Sequence, residues 1–313
     1  MKNFWKNQLK KYWKIIALAP MDWYTDSAYR QIVKKINKDV ICFSEFYSAD
    51  WLVHSKFLAE SVLPHNKNEN PLIIQIFWKN PETFIKAAKI IEKYDIAWID
   101  INMWCPAKKV VNSWHWSGLI INKDLAFEIV EKLNKNTSLP ISVKTRLWFD
   151  WSESLIDFCK WLEKAWASLI TVHWRTTKQA YTWKSDFSQI YDLKNNLNIP
   201  VLCNWNIQNI QDWFLKIKNL DGFMIWRASF WNPWVFSEKN YTPNLKEILD
   251  IMLLHAEKLI ETKWEKKWCL DIRKHLVQYL KGFPNVSHYR KKLVLIENIN
   301  ELKNIINEIH NIN

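Results

Sequence analysis

A cysteine stands directly after a predicted strand in the stretch Ile99-Asp-Ile-Asn-Met-Trp-Cys-Pro106. Apolar residues alternate with Asp100 and Asn102, as they do in a strand whose two faces differ. Pro106 lacks an N–H group and restricts Cys105 to extended or turn geometry, so the strand must end there. A thiol at this end of a strand lies where α/β barrels carry their chemistry. A buried structural thiol is the alternative, since free cysteines commonly serve as small core residues.

Polar or ionisable side chains also follow the other predicted strands. Lys144 and Arg146 lie two residues apart in one strand and share a face, where two cations need an anionic or electron-rich partner. A phosphorylated aromatic cofactor meets that need. The segments Asn204-Trp-Asn206 and Trp226-Arg227 stand where the last two strands of a barrel bind phosphate, if these tryptophans are read as glycine. The remaining groups of this kind are Asp22, Glu45, Gln75, Asn102, His173 and Arg175.

Eight short β-rich runs must position these side chains, at residues 15–19, 40–44, 72–77, 97–103, 141–146, 168–172, 201–203 and 222–225. Amphipathic stretches at residues 81–94, 123–134, 152–165 and 208–218 predict helices between them. Repeated βα units of this number predict an α/β fold, a (β/α)8 TIM barrel. A doubly wound open sheet is the alternative. It is disfavoured because no G-x-G-x-x-G motif follows the first strand, even when Trp is read as Gly.

Beyond about residue 243 the pattern changes to helical periodicity without strand signals. We therefore predict three parts: a basic N-terminal lead-in over residues 1–14, a TIM-barrel catalytic domain over residues 15–243, and a small C-terminal all-α helical domain over residues 244–313. Arg273 and Lys274 belong to a basic cluster on this last part. These charges predict either a binding patch or an ordinary solvated helix face.

The composition limits the class of protein. A formal net charge of +12 indicates a polyanionic partner, with nucleic acid the leading candidate, although a lysine-rich background composition is the alternative. No apolar run approaches the roughly 18 residues of a membrane helix. The five cysteines form no C-x-x-C pair, so neither a zinc site nor a disulfide framework is expected. We expect a cytoplasmic protein that binds neither a metal nor a membrane.

The glycine and tryptophan counts are abnormal. The chain has 3 Gly and 22 Trp among 313 residues, whereas average glycine usage is about 7%. Many of these tryptophans stand at turns and predicted phosphate-binding loops, where positive φ or close backbone approach calls for glycine. We therefore predict that many are glycines in the native protein, because some bacterial lineages read the codon UGA as glycine. A genuinely Trp-rich protein is the alternative, and UGG codons at Trp104, Trp205 and Trp226 would establish it.

Several segments of the chain resemble those of the tRNA-dihydrouridine synthases, a flavin-dependent family. The resemblance covers roughly residues 13–295, and nearly every departure puts Trp where the family has Gly. The matching segments are Ala19-Pro-Met-Asp22, Gln75-Ile-Phe77, Asp100-Ile-Asn-Met-Trp-Cys-Pro-Ala-Lys-Lys-Val110, Val143-Lys-Thr-Arg146, Thr171-Val-His-Trp-Arg-Thr176, Asn204-Trp-Asn206, Ile225-Trp-Arg-Ala228 and Asp271-Ile-Arg-Lys-His-Leu-Val-Gln-Tyr-Leu-Lys-Gly-Phe-Pro284.

The resemblance implies FMN-dependent reduction of the C5=C6 bond of selected tRNA uridines to 5,6-dihydrouridine, with NADPH or NADH as the reductant. It implies that Cys105 is the catalytic proton donor, and an unperturbed thiol, with a pKa of about 8.5, is protonated at neutral pH. The implied FMN contacts are Pro20, Met21, Asp22, Gln75, Lys144, His173, Asn204, Trp205, Asn206, Trp226 and Arg227. The implied contacts to the uridine or to tRNA are Asn102, Lys108, Lys109, Arg175, Arg273 and Lys274.

Two other functions remain open at this point. Another FMN-dependent barrel oxidoreductase acting on a small molecule would explain the barrel, but not the basic charge or the C-terminal helices. A non-catalytic RNA-binding relative would bind no flavin. The sequence identifies neither the modified tRNA position nor the oligomeric state, for which a monomer is the default expectation.

Overall fold

A computed structural model describes residues 5, 9, 14–103, 119, 122–147, 155–173, 187–204, 207–237, 241–263, 265–283 and 287–312. Eight parallel strands close into a barrel in chain order, and β8 pairs with β1. The strands are β1 (Ile15–Leu18), β2 (Ile41–Ser48), β3 (Leu72–Phe77), β4 (Trp98–Asn102), β5 (Ile141–Arg146), β6 (Leu169–His173), β7 (Val201–Asn204) and β8 (Gly222–Ile225). This is the predicted TIM barrel, and the open doubly wound sheet is excluded.

Helices surround the barrel and continue beyond it. Those within the barrel sequence are α1 (Ser27–Ile36), α2 (Ala49–His54), α3 (Lys56–Val62), α4 (Pro81–Ile91), α5 (Lys123–Asn136), α6 (Leu155–Lys164), α7 (Ser188–Asn195) and α8 (Ile210–Lys216). Those that follow are α9 (Leu245–Ile260), α10 (Glu265–Tyr279), α11 (Ser287–Leu293) and α12 (Ile299–Ile312). None of the helices in the described part of the chain is both long and apolar enough to cross a membrane.

Local sequence signals explain where several helices begin. Asp26 caps α1 by accepting a hydrogen bond from the backbone N–H of Tyr29. Asn80 caps α4, whose first residue is Pro81, a position where the missing N–H is harmless. Asn244 caps α9 and forms a capping box with Glu247. The polar residues before these three helices therefore specify where the helices begin.

A glycine closes the barrel between its last and first strands. Gly222 begins β8 and pairs with Ile15 of β1. A Cβ atom at this position would lie 2.1 Å from the carbonyl oxygen of Ile15, so no larger residue fits without moving a strand. Most of the described Ile, Leu and Val side chains of the strands are fully buried in the core that this closure creates.

A second hydrophobic core lies between the C-terminal helices and the outside of the barrel. It contains Leu249 and Met252 of α9, and Ile272 and Leu276 of α10. It also contains Ala28 and Ile32 of α1, whereas Tyr29 and Val33 of the same helix pack into the barrel core. Helix α1 therefore belongs to both cores.

Candidate active site

A cavity of about 230 Å³ opens at the C-terminal end of the barrel. All eight strands, or the residues directly after them, contribute side chains to it. Parallel strands that close into a barrel bring their carboxyl ends to one rim, which is why residues far apart in sequence meet here. The lining consists of Ala19, Pro20, Met21, Asp22, Tyr24, Phe46, Gln75, Asn102, Lys144, Arg146, His173, Asn204, Trp226 and Phe230.

Many of the residues expected to bind cofactor or substrate meet in this cavity. They are Pro20, Met21, Asp22, Gln75, Asn102, Lys144, His173, Asn204 and Trp226. The other residues expected at the site lie outside the described residues: Cys105, Lys108, Lys109, Arg175, Trp205 and Asn206.

Three further predicted residues lie elsewhere. Arg227 begins a 3-10 turn after β8 and lines a neighbouring cavity between the barrel and α10. Arg273 donates hydrogen bonds from its guanidinium group to the carbonyl oxygen of Ile296, at 2.6 and 3.0 Å. Lys274 donates from Nζ to the carbonyl oxygen of Trp23, at 2.7 Å. Arg273 thus braces the C-terminal helices, and Lys274 connects them to the loop after β1.

A hydrogen-bonded network runs across the floor of the cavity. Gln75 donates from Nε2 to Oδ2 of Asp100 at 2.6 Å, and Asn102 donates from Nδ2 to Oε1 of Gln75 at 3.0 Å. Ser142 donates from its hydroxyl to Oδ1 of Asp100. Burial raises the pKa of the Asp100 carboxyl to about 6, although the hydrogen bonds from Ser142 and Gln75 and the charge of Lys144 oppose that rise.

An irregularity in β2 aims an aromatic side chain into the cavity. The register between β2 and β3 shifts between Phe43 and Phe46, and Phe46 lines the cavity. Ser44, within the shifted segment, accepts a hydrogen bond from the backbone N–H of Gln75 at 3.1 Å. β-Bulges commonly redirect side chains next to active sites in this way.

Acidic side chains and a lysine join the rim to the C-terminal helices. Glu45 accepts a hydrogen bond through Oε1 from the backbone N–H of Trp23 at 2.6 Å. Burial, followed by the charge of Asp26, raises the pKa of Glu45 to about 7. Burial also raises the pKa of Asp22, which lines the cavity. Burial likewise lowers the pKa of Lys274, whose ammonium group approaches the same loop.

An indole ring forms part of the cavity wall. Trp226 packs edge-on against His173, with 5.8 Å between the ring centroids. Small-molecule sites usually have volumes of about 300–1,000 Å³, so a cavity of about 230 Å³ with this indole in its wall is small for a cofactor. The cavity is therefore lined by amides, cations and an imidazole, but its volume is small.

Tryptophan also takes backbone conformations that favour glycine. The described non-glycine residues with positive φ are Trp23 (68°), Trp166 (72°), Lys218 (42°) and Trp231 (54°). For a residue with a Cβ atom this left-handed region is strained by about 1–2 kcal/mol, and only glycine enters it freely. Trp166 is also largely exposed, at 64%, so burial does not compensate for the strain at this position.

A family model for dihydrouridine synthases (Dus) matches residues 17–312 of the chain. The chain belongs to the Dus family. The match includes the barrel and the C-terminal helices, and it makes the chain an oxidoreductase by family.

Curated Dus proteins align with nearly the whole chain. A probable tRNA-dihydrouridine synthase from Rickettsia bellii is 29% identical over 311 residues, which are 94% of this chain and 94% of that protein. The tRNA-dihydrouridine synthase B of Pasteurella multocida is 31% identical over 283 residues, or 86% of this chain and 85% of that protein. A probable tRNA-dihydrouridine synthase from Aquifex aeolicus is 30% identical over 303 residues, with 94% and 95% covered.

Solved structures of other enzymes share the fold at low sequence identity. A 2-naphthoyl-CoA reductase in complex with 2-naphthoyl-CoA has a TM-score of 0.56 and 10% identity, and 70% of this chain aligns with 49% of that chain. A morphinone reductase variant in complex with tetrahydroNAD has a TM-score of 0.51 and 8% identity, covering 70% and 84%. Both likenesses show the fold alone.

Sequence reasoning did not assign a site role to several residues that the structure of this Dus protein brings to the cavity. Tyr24, Phe46 and Phe230 are aromatic lining residues. Asp100 lies beneath them and binds two of the polar neighbours. A carboxylate in the middle of a mainly apolar strand was the available signal for Asp100, whereas the bulge that presents Phe46 leaves no such pattern.

Proposed function

We propose that the chain is a tRNA-dihydrouridine synthase that reduces the C5=C6 bond of specific tRNA uridines, with FMN as cofactor and NADPH or NADH as reductant. One observation supports the proposal above others: in a member of the Dus family, side chains from all eight strands, six of which contribute charged, amide or imidazole groups, converge on one cavity at the barrel rim. The names of the curated relatives agree with this substrate class.

The chemistry of the lining residues fits FMN. Lys144 and Arg146 supply positive charge, which favours an electron-rich ring and its anionic reduced form. Gln75 and Asn102 supply amides, which pair with the carbonyl and N–H groups of a flavin or a uracil. Pro20, Met21, Asp22, His173 and the turn at residues 204–206 complete the proposed FMN contacts, with Arg227 for the phosphate. Trp226 is the residue that does not fit.

We infer that Trp226 and many other tryptophans are glycines in the native protein. Three of the four described non-glycine residues with positive φ are Trp, namely Trp23, Trp166 and Trp231. Glycine at 226 would remove the indole that packs on His173 and would enlarge the cavity. UGA decoded as glycine accounts for the 22 Trp and the 3 Gly together. Peptide masses of the protein from its own cells test this inference directly, and tryptophan found at 226 and 231 would contradict it.

Cys105 acts as the general acid in this proposal. Bound reduced FMN supplies a hydride to C6 of the uracil. The Cys105 thiol gives its proton to C5, and the resulting thiolate takes a proton from solvent before the next turnover. The four described cysteines support this assignment, because Cys42, Cys159, Cys203 and Cys269 are all buried. Burial raises the pKa of Cys42 to about 11.

The C-terminal helices hold tRNA in this proposal. The proposal places the boundary between the barrel domain and the helical domain at residues 243 and 244, and it includes a cytoplasmic location. The proposed contacts to tRNA or to its uridine are Lys108, Lys109, Arg175, Arg273 and Lys274. The net charge of +12 favours a polyanion. A target uridine must leave its base stack to reach a cavity at the rim, as in other base-modifying enzymes.

Mapping of dihydrouridine in tRNA from cells with and without the gene tests the proposed function. We expect loss of dihydrouridine at specific positions, its return with the intact gene, and no return with Cys105→Ala. A flavoprotein that reduces a small molecule and leaves tRNA unchanged would instead identify another type of oxidoreductase. A colourless protein that binds tRNA would identify a non-catalytic relative.

A further inference from the structure

A buried carboxylate lies directly behind two cavity-lining amides. Asp100, Gln75 and Ser142 have no solvent exposure, and Asn102 is 6% exposed. Their strands are neighbours, and Gln75 and Ser142 both pair in register with Asp100. This arrangement places Asp100 below the cavity, where it touches Gln75 but is not itself part of the lining.

The hydrogen bonds of this network have a fixed direction. An ionised carboxylate only accepts hydrogen bonds, so Gln75 must turn its Nε2 towards Asp100. The Oε1 of Gln75 then accepts from Nδ2 of Asn102. The Asn102 amide is consequently oriented with Nδ2 towards β3 and Oδ1 away from it. An amide alone could adopt either orientation, because its two ends are similar in shape.

We propose that Asp100 is a positioning residue: through Gln75 it fixes the Asn102 amide so that the site presents a hydrogen-bond acceptor to a cyclic imide N–H. This inference rests on the proposed function and deepens it. Both the uracil ring and the flavin ring carry an imide N–H between two carbonyl groups, so either could be the ligand that is recognised. A ring nitrogen that lacks this hydrogen, or carries a methyl group, would be rejected.

The preference of the site for an imide over its N-methylated form measures the positioning role of Asp100. In one arm, the dissociation constants of FMN and of FMN methylated at N3 are compared by flavin fluorescence, using the form of the chain that binds FMN. In the other arm, turnover of an RNA is compared with that of the same RNA carrying 3-methyluridine at the mapped position. We expect the unaltered chain to favour the imide by about fivefold to tenfold in one of the two arms, which identifies the source.

Three variants separate orientation from folding. Asp100→Asn allows Gln75 to reverse, so the discrimination ratio should fall towards one. Ser142→Ala removes the other partner of Asp100 without changing the direction at Gln75, so the ratio should stay within about twofold of the unaltered value. The double variant Gln75→Glu with Asp100→Asn keeps the total charge and again places an acceptor opposite Asn102, so the ratio should return. Circular dichroism and thermal melts verify the folding of each variant.

The outcomes are distinct. An unchanged ratio in Asp100→Asn, an equal loss in Ser142→Ala, or no discrimination by the unaltered chain in either arm overturns the inference. If Asp100→Asn alone does not fold, the double variant decides: a retained ratio supports the inference and a lost ratio overturns it. Absence of both flavin binding and RNA turnover in the unaltered chain is a failure of the proposed function instead.

Discussion

Single residues with unusual backbone geometry indicate which tryptophans the fold does not need. Trp166 follows α6 with a φ of 72° and leaves 64% of its surface exposed. Trp234 is 7% exposed and packs into the core shared with the C-terminal helices. The indole of Trp234 therefore fills a core position, whereas the indole of Trp166 fills none.

Glycine should have opposite effects at these two positions. In the chain carrying tryptophan throughout, we expect Trp166→Gly to raise the free energy of unfolding by about 0.5–1 kcal/mol, because it relieves a strained left-handed residue. Trp234→Gly should lower it by about 3–5 kcal/mol, because it empties a core position. Urea denaturation of both variants measures the two changes, and destabilisation by Trp166→Gly would contradict the argument.

A buried carboxyl at the rim should make stability depend on pH. The folded-state pKa of Glu45 is about 7, compared with 4.5 ordinarily. The folded state thus binds this proton more tightly, and the stability that it contributes is complete below pH 4.5 and lost as the pH rises through 7. Glu45→Gln keeps an acceptor for the Trp23 N–H but cannot ionise. We expect only a small advantage for the variant at pH 5, and an advantage of about 1–3 kcal/mol at pH 8.

Chemical denaturation at both pH values tests this expectation. The sign of the stability difference at pH 8 distinguishes ionisation of a buried carboxyl from an ordinary ion pair, because loss of an ion pair would make the variant less stable at pH 8. An advantage for Glu45→Gln that does not change between pH 5 and pH 8 would show that ionisation of Glu45 plays no part.

At the scale of elements, one lysine connects the start of α1 to the C-terminal helices. Lys263 donates from Nζ to Oδ2 of Asp26 at 2.9 Å and to Oδ2 of Asp271 at 2.8 Å. Burial by itself raises the pKa of Asp26, but the charge of Lys263 and the hydrogen bonds bring it well below its usual value. This contribution to stability is present above pH 3.8 and lost as the pH falls further.

Removal of this lysine should weaken the contact between the two parts. We expect Lys263→Met to lower the free energy of unfolding at pH 7 by about 1–2 kcal/mol, because the three groups are largely shielded from water. Lys132 provides a matched control, since it also bridges two carboxylates, those of Glu82 and Glu128, but at the surface. Lys132→Met should change stability far less than Lys263→Met, and equal effects of the two substitutions would refute the argument.

The strands and their order could be predicted from the sequence because each is a short run of buried Ile, Val or Leu. All eight predicted runs overlap the observed strands. The extension of β2 to Ser48 was missed, since the bulge between Phe43 and Phe46 disrupts the alternation of side chains. Helices α2 and α3 were also missed, because each is only a few residues long.

The site could be predicted in part for similar reasons. Strand ends can be read from the sequence, so Gln75, Asn102, Lys144 and His173 were identified before their positions were known. The partners of Asp100 could not be, because Gln75 and Ser142 lie 25 and 42 residues away and meet it only through barrel register. Arg227 lines the neighbouring cavity, because the 3-10 turn after β8 directs it there.

At the scale of the whole molecule, cofactor binding should be visible as stability. A ligand that binds only the folded state at one hundred times its dissociation constant adds about 2.7 kcal/mol. We expect FMN at such a concentration to raise the melting temperature of a chain with Trp226→Gly and Trp231→Gly. The chain with tryptophan at both positions should show little change, because the indole at 226 forms part of the wall of a small cavity.

Differential scanning fluorimetry or calorimetry measures this shift. Riboflavin provides a control ligand, since it has the same ring system without the phosphate. An equal rise with FMN in both chains would show that the indole does not obstruct binding, and no rise in either chain would count against FMN as the cofactor.

Helix α1 is buried on two faces, because Tyr29 and Val33 pack into the barrel core while Ala28 and Ile32 pack into the second core. A protein truncated after the barrel would therefore expose an apolar surface along this helix to water. Such fragments should aggregate in the cell and be degraded. A nonsense mutation near residue 244 would therefore have the same effect as deletion of the gene and would not yield a functional barrel domain.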